Sequence, residues 1–209
     1  MGFASIWKRW SKKDRREENM VIIAGLGNPD KKYQNTRHNA GFDAIDCLAD
    51  RYSVSVSTKK HRALVGKGVI GGVPVLLMKP QTYMNLSGES VRDAADYYNV
   101  PPEKIIVLCD DVNLDLGVLR IRKSGSAGGH NGLKNIIQTL GSQDFQRIRI
   151  GVGKQPPEMD LISFVLSHFT REEREEMDNA CRRAAEAAVI MITDGTDEAM
   201  NRCNGKRTE

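Results

Sequence analysis

Two rhythms of apolar residues alternate along most of the chain. Short unbroken apolar runs at 21–26 and 105–109 read as buried strands. Between them the apolar positions fall at helical spacing. Phe42, Ile45, Leu48 and Ala49 share one face of a helix predicted over 39–52, with Asn39 placed to cap its start. Val91, Ala94, Ala95 and Tyr98 do the same for 87–98, and Pro101-Pro102 marks the break that follows. Residues 63–70 and 73–78 flank Gly71-Gly72, a two-residue hairpin signal. Downstream, 118–122 and 147–152 alternate as strands. A helix runs through Leu133, Ile136, Ile137 and Leu140, a short apolar segment covers 161–166, and Thr170 caps a long helix reaching Asp194-Gly195. Residues 196–201 add a last turn. Strands and helices alternating over short connections predict a single α/β domain, a mixed, twisted sheet flanked by helices and antiparallel at least at the hairpin.

This pattern starts at Met20. Residues 1–19 are polar, basic and poor in aliphatics, and read as a flexible extension, with Met20 as an alternative start. Trp7 and Trp10, three apart, support at best a weak interfacial helix there. The folded domain is expected over 20–204, followed by a polar tail at 205–209.

At 209 residues the chain can bury the core of one domain. No apolar stretch approaches the ~20 residues of a membrane span. Residues 2–6 are too brief for the apolar region of a signal peptide, and Ile6 breaks the myristoylation pattern that Gly2 would open. Cys47, Cys109, Cys181 and Cys203 are too scattered for a zinc knuckle or redox pair, and are read as reduced thiols of a cytoplasmic protein. Of the net charge of +4, residues 1–19 carry +3, so the total charge of the rest does not announce a nucleic-acid partner. Its distribution is more informative. Arg120, Arg122 and Lys123 lie together, followed by Lys134, Arg147 and Arg149. Such a cluster suits a phosphate backbone, or is a set of solvated strand-end charges, and both readings stay open.

The candidate chemistry gathers in three polar islands. Gly25-Leu26-Gly27-Asn28-Pro29 begins like a dinucleotide fingerprint but lacks the third glycine, since Asp30 stands there, and it leads to a proline turn. Ten residues after Asn28 comes His38, in Thr36-Arg37-His38-Asn39-Ala40-Gly41. Histidine titrates nearest neutral pH and is the default general base. Asp110 follows a buried strand, at the end where α/β proteins place ligand sites. There it could accept Nδ1–H from His38, fixing the tautomer and stabilising the imidazolium; otherwise Asp110 and Asp111 cap a turn. Asn28, Asn85 and Asn131 could hold a water, grip a carbonyl or steady an oxyanion. Each could equally serve an Asx-turn or a helix cap, above all Asn85 and Asn131, which precede helices. No phosphate-binding loop, zinc-protease motif or serine-nucleophile elbow occurs. The reading is a hydrolytic site with a base, carboxamides and an acidic partner, and with neither metal nor covalent nucleophile.

Taken in order, these islands closely resemble bacterial peptidyl-tRNA hydrolase. The match runs through Gly25 to Pro29, Tyr33, Thr36 to Gly41, Lys79 to Gly88 with its Met84-Asn85-Leu86-Ser87-Gly88, Asp110-Asp111, Gly125 to Lys134 with Gly128-Gly129-His130-Asn131, and Phe145 to Gly153. It spans about Met20 to Asn201. The resemblance implies an esterase that frees tRNA from peptide in peptidyl-tRNA released by stalled ribosomes. It implies His38 as base and Asp110 as its partner. Asn28 and Asn85 would bind the peptide side, with Asn85 steadying the oxyanion. Asn131 would position water or substrate, Tyr33 and Met84 would shape the pocket, and His130 would lie on its rim. Arg120, Arg122, Lys123 and Arg147 would face tRNA phosphates. No cofactor, membrane or obligatory protein partner is implied, and a cytoplasmic monomer is expected. The chain departs from the family pattern at three places: Asp30 where glycine is usual, Cys109 before the acidic pair, and Asn113-Leu114-Asp115 for a more common Asp-Leu-Pro run. Two rivals remain. A non-catalytic RNA-binding relative would need none of His38, Asp110, Asn28 and Asn85, and a general esterase or peptidase would not need the basic cluster.

Overall fold

The computed structural model describes residues 19–204. The expected extension at 1–19, save Asn19, and the expected tail at 205–209 lie outside the described residues. Seven strands form one mixed sheet: β1 (Val21–Gly25), β2 (Thr58–Lys60), β3 (Ala63–Ile70), β4 (Val73–Pro80), β5 (Ile105–Asp111), β6 (Leu119–Arg122) and β7 (Gln146–Gly151), in the order β2-β3-β4-β1-β5-β7-β6. The central strands β4, β1, β5 and β7 are mutually parallel. The β2–β3–β4 meander and β6 add antiparallel edges. All seven residues of β5 are buried, as a parallel strand covered on both faces requires. Gly71 and Gly72 both take positive φ, +56° and +82°, the turn that suits strand twist.

Helices cover both faces. α1 (Ala40–Arg51), α5 (Arg171–Thr193) and α6 (Thr196–Cys203) bury their apolar stripes on Ile23, Leu77, Ile106, Leu108, Ile148 and Ile150. The opposite face, with Ile22, Ala24, Leu76, Met78, Val107 and Cys109, is covered by α2 (Ser87–Tyr98) and α3 (Asn131–Leu140). Alternation along each strand feeds the two cores. α4 (Leu161–Val165) is a short helix that delivers Phe164 to the first core. α5 opens on a capping box, Thr170 Oγ1 accepting from Glu173 N while the Glu173 carboxylate accepts from Thr170 N. At the outer edge, the Asn204 carboxamide accepts from Ile121 N and donates to Ile121 O.

The first island is a packing device. A Cβ on Gly25 would lie 2.1 Å from Gly41 O, and a Cβ on Gly41 would lie 2.4 Å from both Leu108 O and Leu26 N. The start of α1 therefore touches the ends of β1 and β5 backbone to backbone, which brings residues 37–39 beside Asp110. Asp30 adopts φ −70°, so the turn after Asn28 needs no glycine there. The apolar pattern does not predict the strand at 58–60. Two caps also differ from expectation. Asn39 occupies the first cap position of α1 yet makes no capping bond, and His130, not Asn131, caps α3. Asn85 lies inside a single helical turn, Met84–Leu86.

Gly41→Ala should lower unfolding free energy by about 1–3 kcal/mol, the usual cost of overpacking. Urea denaturation measures it, and an unchanged midpoint would mean that the helix start does not bear on the strand ends.

Candidate active site

Three side chains meet at the carboxyl end of β5. His38 Nδ1 lies 2.9 Å from each carboxylate oxygen of Asp110, and His130 Nε2 lies 3.0 Å from Asp110 Oδ1. The imidazole centroids are 5.3 Å apart. Asp110 is buried, with 3% exposure, so its charge must be answered locally. Burial alone would raise its pKa. The charges of His38 and His130 and their hydrogen bonds outweigh that and hold the carboxyl well below the usual carboxylate range. For His38, burial works to lower the pKa, but the charge and hydrogen bond of Asp110 prevail and raise it above 6.5. Asp110 therefore takes Nδ1–H. Nε2 has no protein partner among the described residues.

Hydrogen bonds also fix the tautomer of His130. Leu133 N donates to His130 Nδ1 (3.2 Å), so the neutral ring carries its proton on Nε2 and donates it to Asp110. The trio has donor types that suit a metal. Here those donors are engaged with one another and with the start of α3. A ligating histidine offers a lone pair to the ion and donates its other N–H outward, whereas His130 accepts through the outer nitrogen. The donors are arranged as a hydrogen-bond cluster.

Residue 38 is held firmly from behind. Arg37 is buried between the rings of Phe164 and Phe169, at 4.7 and 4.6 Å. It donates to Val152 O (2.8 Å) and Ser167 Oγ (3.2 Å), and pairs with Glu173 Oε2 (2.7 Å). The turn carrying the base is thereby tied to α4 and α5.

The cleft in front of the trio has a volume of about 120 Å³. Asn131, Asn113 and the Gly128-Gly129 loop line it, with Leu161, Ile162 and Val165 of α4 as an apolar wall. Ile162 is 69% exposed, which is notable for a large apolar side chain beside a polar cleft. Of the residues expected from sequence, His38, Asp110, His130 and Asn131 share this cleft. Asn28 borders a neighbouring polar cavity of about 270 Å³ with Asn39, Lys79 and Gln81. Its Oδ1 accepts from Met84 N (2.9 Å), so the two turns adjoin. Met84 is buried against Leu26 and the start of α3. Asn85 is exposed, and no protein group among the described residues binds its carboxamide. Tyr33 is half-buried one turn beyond Asn28, with Lys32 Nζ 4.9 Å above its ring.

Arg120, Arg122 and Lys123 are exposed on and just beyond edge strand β6, where Lys123 pairs with Asp197 on α6. Arg147 is a correction. It is 1% exposed and donates to the carbonyls of Gly125, Ser126, Gln143 and Phe145, over the Phe145 ring. It braces the loop that leads to His130 and presents no charge to a phosphate. Arg149, two residues on and absent from the expected site, lines the cleft with its Nε 3.1 Å from Asp111 Oδ2. Two residues on one strand face share their periodicity, so no sequence signal separates them. Leu161 and Ile162 also fall outside the expected site; a short apolar segment looks the same whether it enters a core or walls a cleft.

A family model described as "Peptidyl-tRNA hydrolase" matches residues 22–209. The chain belongs to the peptidyl-tRNA hydrolase family. It is 56% identical over 183 residues to a peptidyl-tRNA hydrolase of Agathobacter rectalis, covering 87% of this chain and 98% of that one. A Clostridium novyi family member is 50% identical over 186 residues, covering 89% and 98%. Among solved structures, an Arg119Gln mutant of the Acinetobacter baumannii peptidyl-tRNA hydrolase superposes with a TM-score of 0.84 at 38% identity, covering 90% of this chain and 95% of that one. The expected mixed α/β architecture is thus the family's own.

The electrostatics give a direct expectation. The His38 imidazole should titrate above 6.5, and Asp110→Asn, which removes the charge that raises it, should move the midpoint down. NMR titration of the ring protons reads both, and an unmoved midpoint would refute the assignment of Asp110 as the cause.

Proposed function

We propose that this chain hydrolyses the ester between peptide and the 3′ ribose of tRNA, recycling tRNA from peptidyl-tRNA released by stalled ribosomes. His38 is the general base, and no metal takes part. The observation that carries the reading is the buried Asp110 carboxylate. It accepts a hydrogen bond from Nδ1–H of His38, which keeps that proton on Nδ1 and leaves Nε2 as the basic atom at the cleft.

Water attacks the ester carbonyl carbon as His38 Nε2 removes its proton. The carbonyl oxygen becomes an oxyanion, which Asn85 is free to steady, since its carboxamide has no protein partner among the described residues. Collapse breaks the bond to the ribose oxygen, which recovers the proton from the His38 imidazolium. Asp110 stabilises that cation while it exists. An aminoacyl ester is already activated, so water, a base and oriented amides suffice. Asn28 and Asn85 take the peptide side, with Asn28 offering its Nδ2 because Oδ1 is engaged. Asn131 positions water or substrate, Tyr33 and Met84 shape the peptide side, and His130 orients Asp110 from the rim. Amides that grip peptide backbone tolerate any peptide sequence. Arg120, Arg122 and Lys123 face tRNA phosphates, with Arg149 in place of Arg147 nearer the cleft. The enzyme acts in the cytoplasm as a monomer, without cofactor or obligatory protein partner; among the described residues no helix is long and apolar enough to cross a membrane.

His38→Ala should lower hydrolysis of N-blocked aminoacyl-tRNA by about 10²–10⁴-fold, the range for general acid–base catalysis, while thermal melts show a folded protein. Near-normal rates would remove His38 from the mechanism. Chelators should leave the wild-type rate unchanged, and activity restored only by added zinc would overturn the metal-free reading.

The basic edge has its own test. Neutralising Arg120 or Arg122 should raise KM for full-length substrate and flatten its salt dependence, by roughly one unit of slope or less for each phosphate no longer neutralised. A short substrate carrying only the 3′-terminal nucleotide should hardly respond. Equal damage on both would assign these arginines to the fold instead.

A further inference from the structure

Asn39 directly follows the base and is buried, yet it does no capping work for α1. Its side chain spends both polar atoms on the backbone N–H and C=O of one residue, Asn28. Asn28 N donates to Asn39 Oδ1 at 2.9 Å, and Asn39 Nδ2 donates to Asn28 O at 3.0 Å. This is the two-bond hold that one strand residue gives another, made here by a side chain, and it fixes both the position and the rotation of Asn28. The hold continues. Asn28 Oδ1 accepts from Met84 N at 2.9 Å, which fixes the turn carrying Asn85. A second, exposed tie runs parallel to it, Tyr83 Oη donating to Asp30 Oδ2 at 2.8 Å. Base and amides are thus links of one chain: His38 to Asn39 through the backbone, Asn39 to Asn28, and Asn28 to Met84 and Asn85.

We infer that Asn39 is a positioning residue that sets the peptide-recognising amides at a fixed offset from the base, and so determines preference for substrates whose α-nitrogen is acylated. This rests on the reading of Asn28 and Asn85 as the peptide side. An acylated substrate presents an amide next to the ester, whereas an unblocked aminoacyl ester presents an ammonium group there. Carboxamides reward the first only if they lie in register with the carbonyl that water attacks. Asn39 supplies that register because it is rigidly bonded to His38 on one side and to Asn28 on the other. Only a short carboxamide places a donor and an acceptor at this spacing; aspartate loses the donor, and alanine loses both.

The test compares kcat/KM for an N-acetyl-aminoacyl-tRNA and for the same aminoacyl-tRNA left unblocked. Wild type should favour the acetylated substrate strongly, and Asn39→Ala should cut that preference tenfold or more. The pH midpoint of kcat/KM should stay in place, because Asp110 still holds His38. If melts show that Asn39→Ala is unfolded, Asn39→Asp, which keeps the acceptor facing Asn28 N, is measured in the same way with the same expected direction. A uniform slowing of both substrates with the preference intact would reduce Asn39 to a structural role and overturn the inference, as would no change in either rate. A wild type that cleaves neither substrate, or both alike, would instead sink the underlying reading of the peptide side, a result visible before any variant is made.

Discussion

Backbone touches backbone where α1 begins, and the site is assembled around that contact. Gly25 and Gly41 leave no room for a Cβ between the helix start and the ends of β1 and β5. Because the helix approaches so closely, the turn before it is carried to the carboxyl end of β5, where Asp110 waits. The residues on either side of His38 hold that turn. Arg37 anchors it to two phenylalanine rings and to α5, and Asn39 anchors it to the turn after β1. The glycines look at first like phosphate-binding residues, but their use is geometric.

A single buried carboxylate organises the polar part of the site. Asp110 is shared by two imidazoles whose roles differ through what lies behind each ring. His130 is backed by the first turn of α3, which consumes its other nitrogen and fixes its tautomer. His38 is backed by the cleft, so its other nitrogen stays open. The same carboxylate thus orients one ring and raises the basicity of the other, an asymmetry created by secondary structure and not by residue type.

How much of this is legible in the sequence depends on how local the controlling physics is. Strands β1, β3, β4 and β5 and helices α1, α2 and α5 follow from periodicity and turn chemistry, because each buries a face set by its own residues. β2 escapes because Thr58-Lys59-Lys60 is short and mostly exposed, and is strand only because β3 lies beside it. The meeting of His38 with Asp110 follows from strand-end logic. The division of labour between Arg147 and Arg149 does not, because it depends on the 124–126 loop folding over the first of them. Asn39 shows the same limit. Its residue type and place both suggest a cap, and only the nearness of Asn28, eleven residues back, diverts it.

The Asn204 carboxamide at the outer edge of β6 has a different kind of consequence. A sheet that ends in an open strand offers its unpaired N–H and C=O groups to any other extended chain. Here the outward-facing pair on Ile121 is answered by a side chain that imitates a peptide. Arg120 and Arg122 flank it with exposed positive charge, one of the devices that blunt an open edge. At this point the chain itself answers the backbone groups of its own sheet edge.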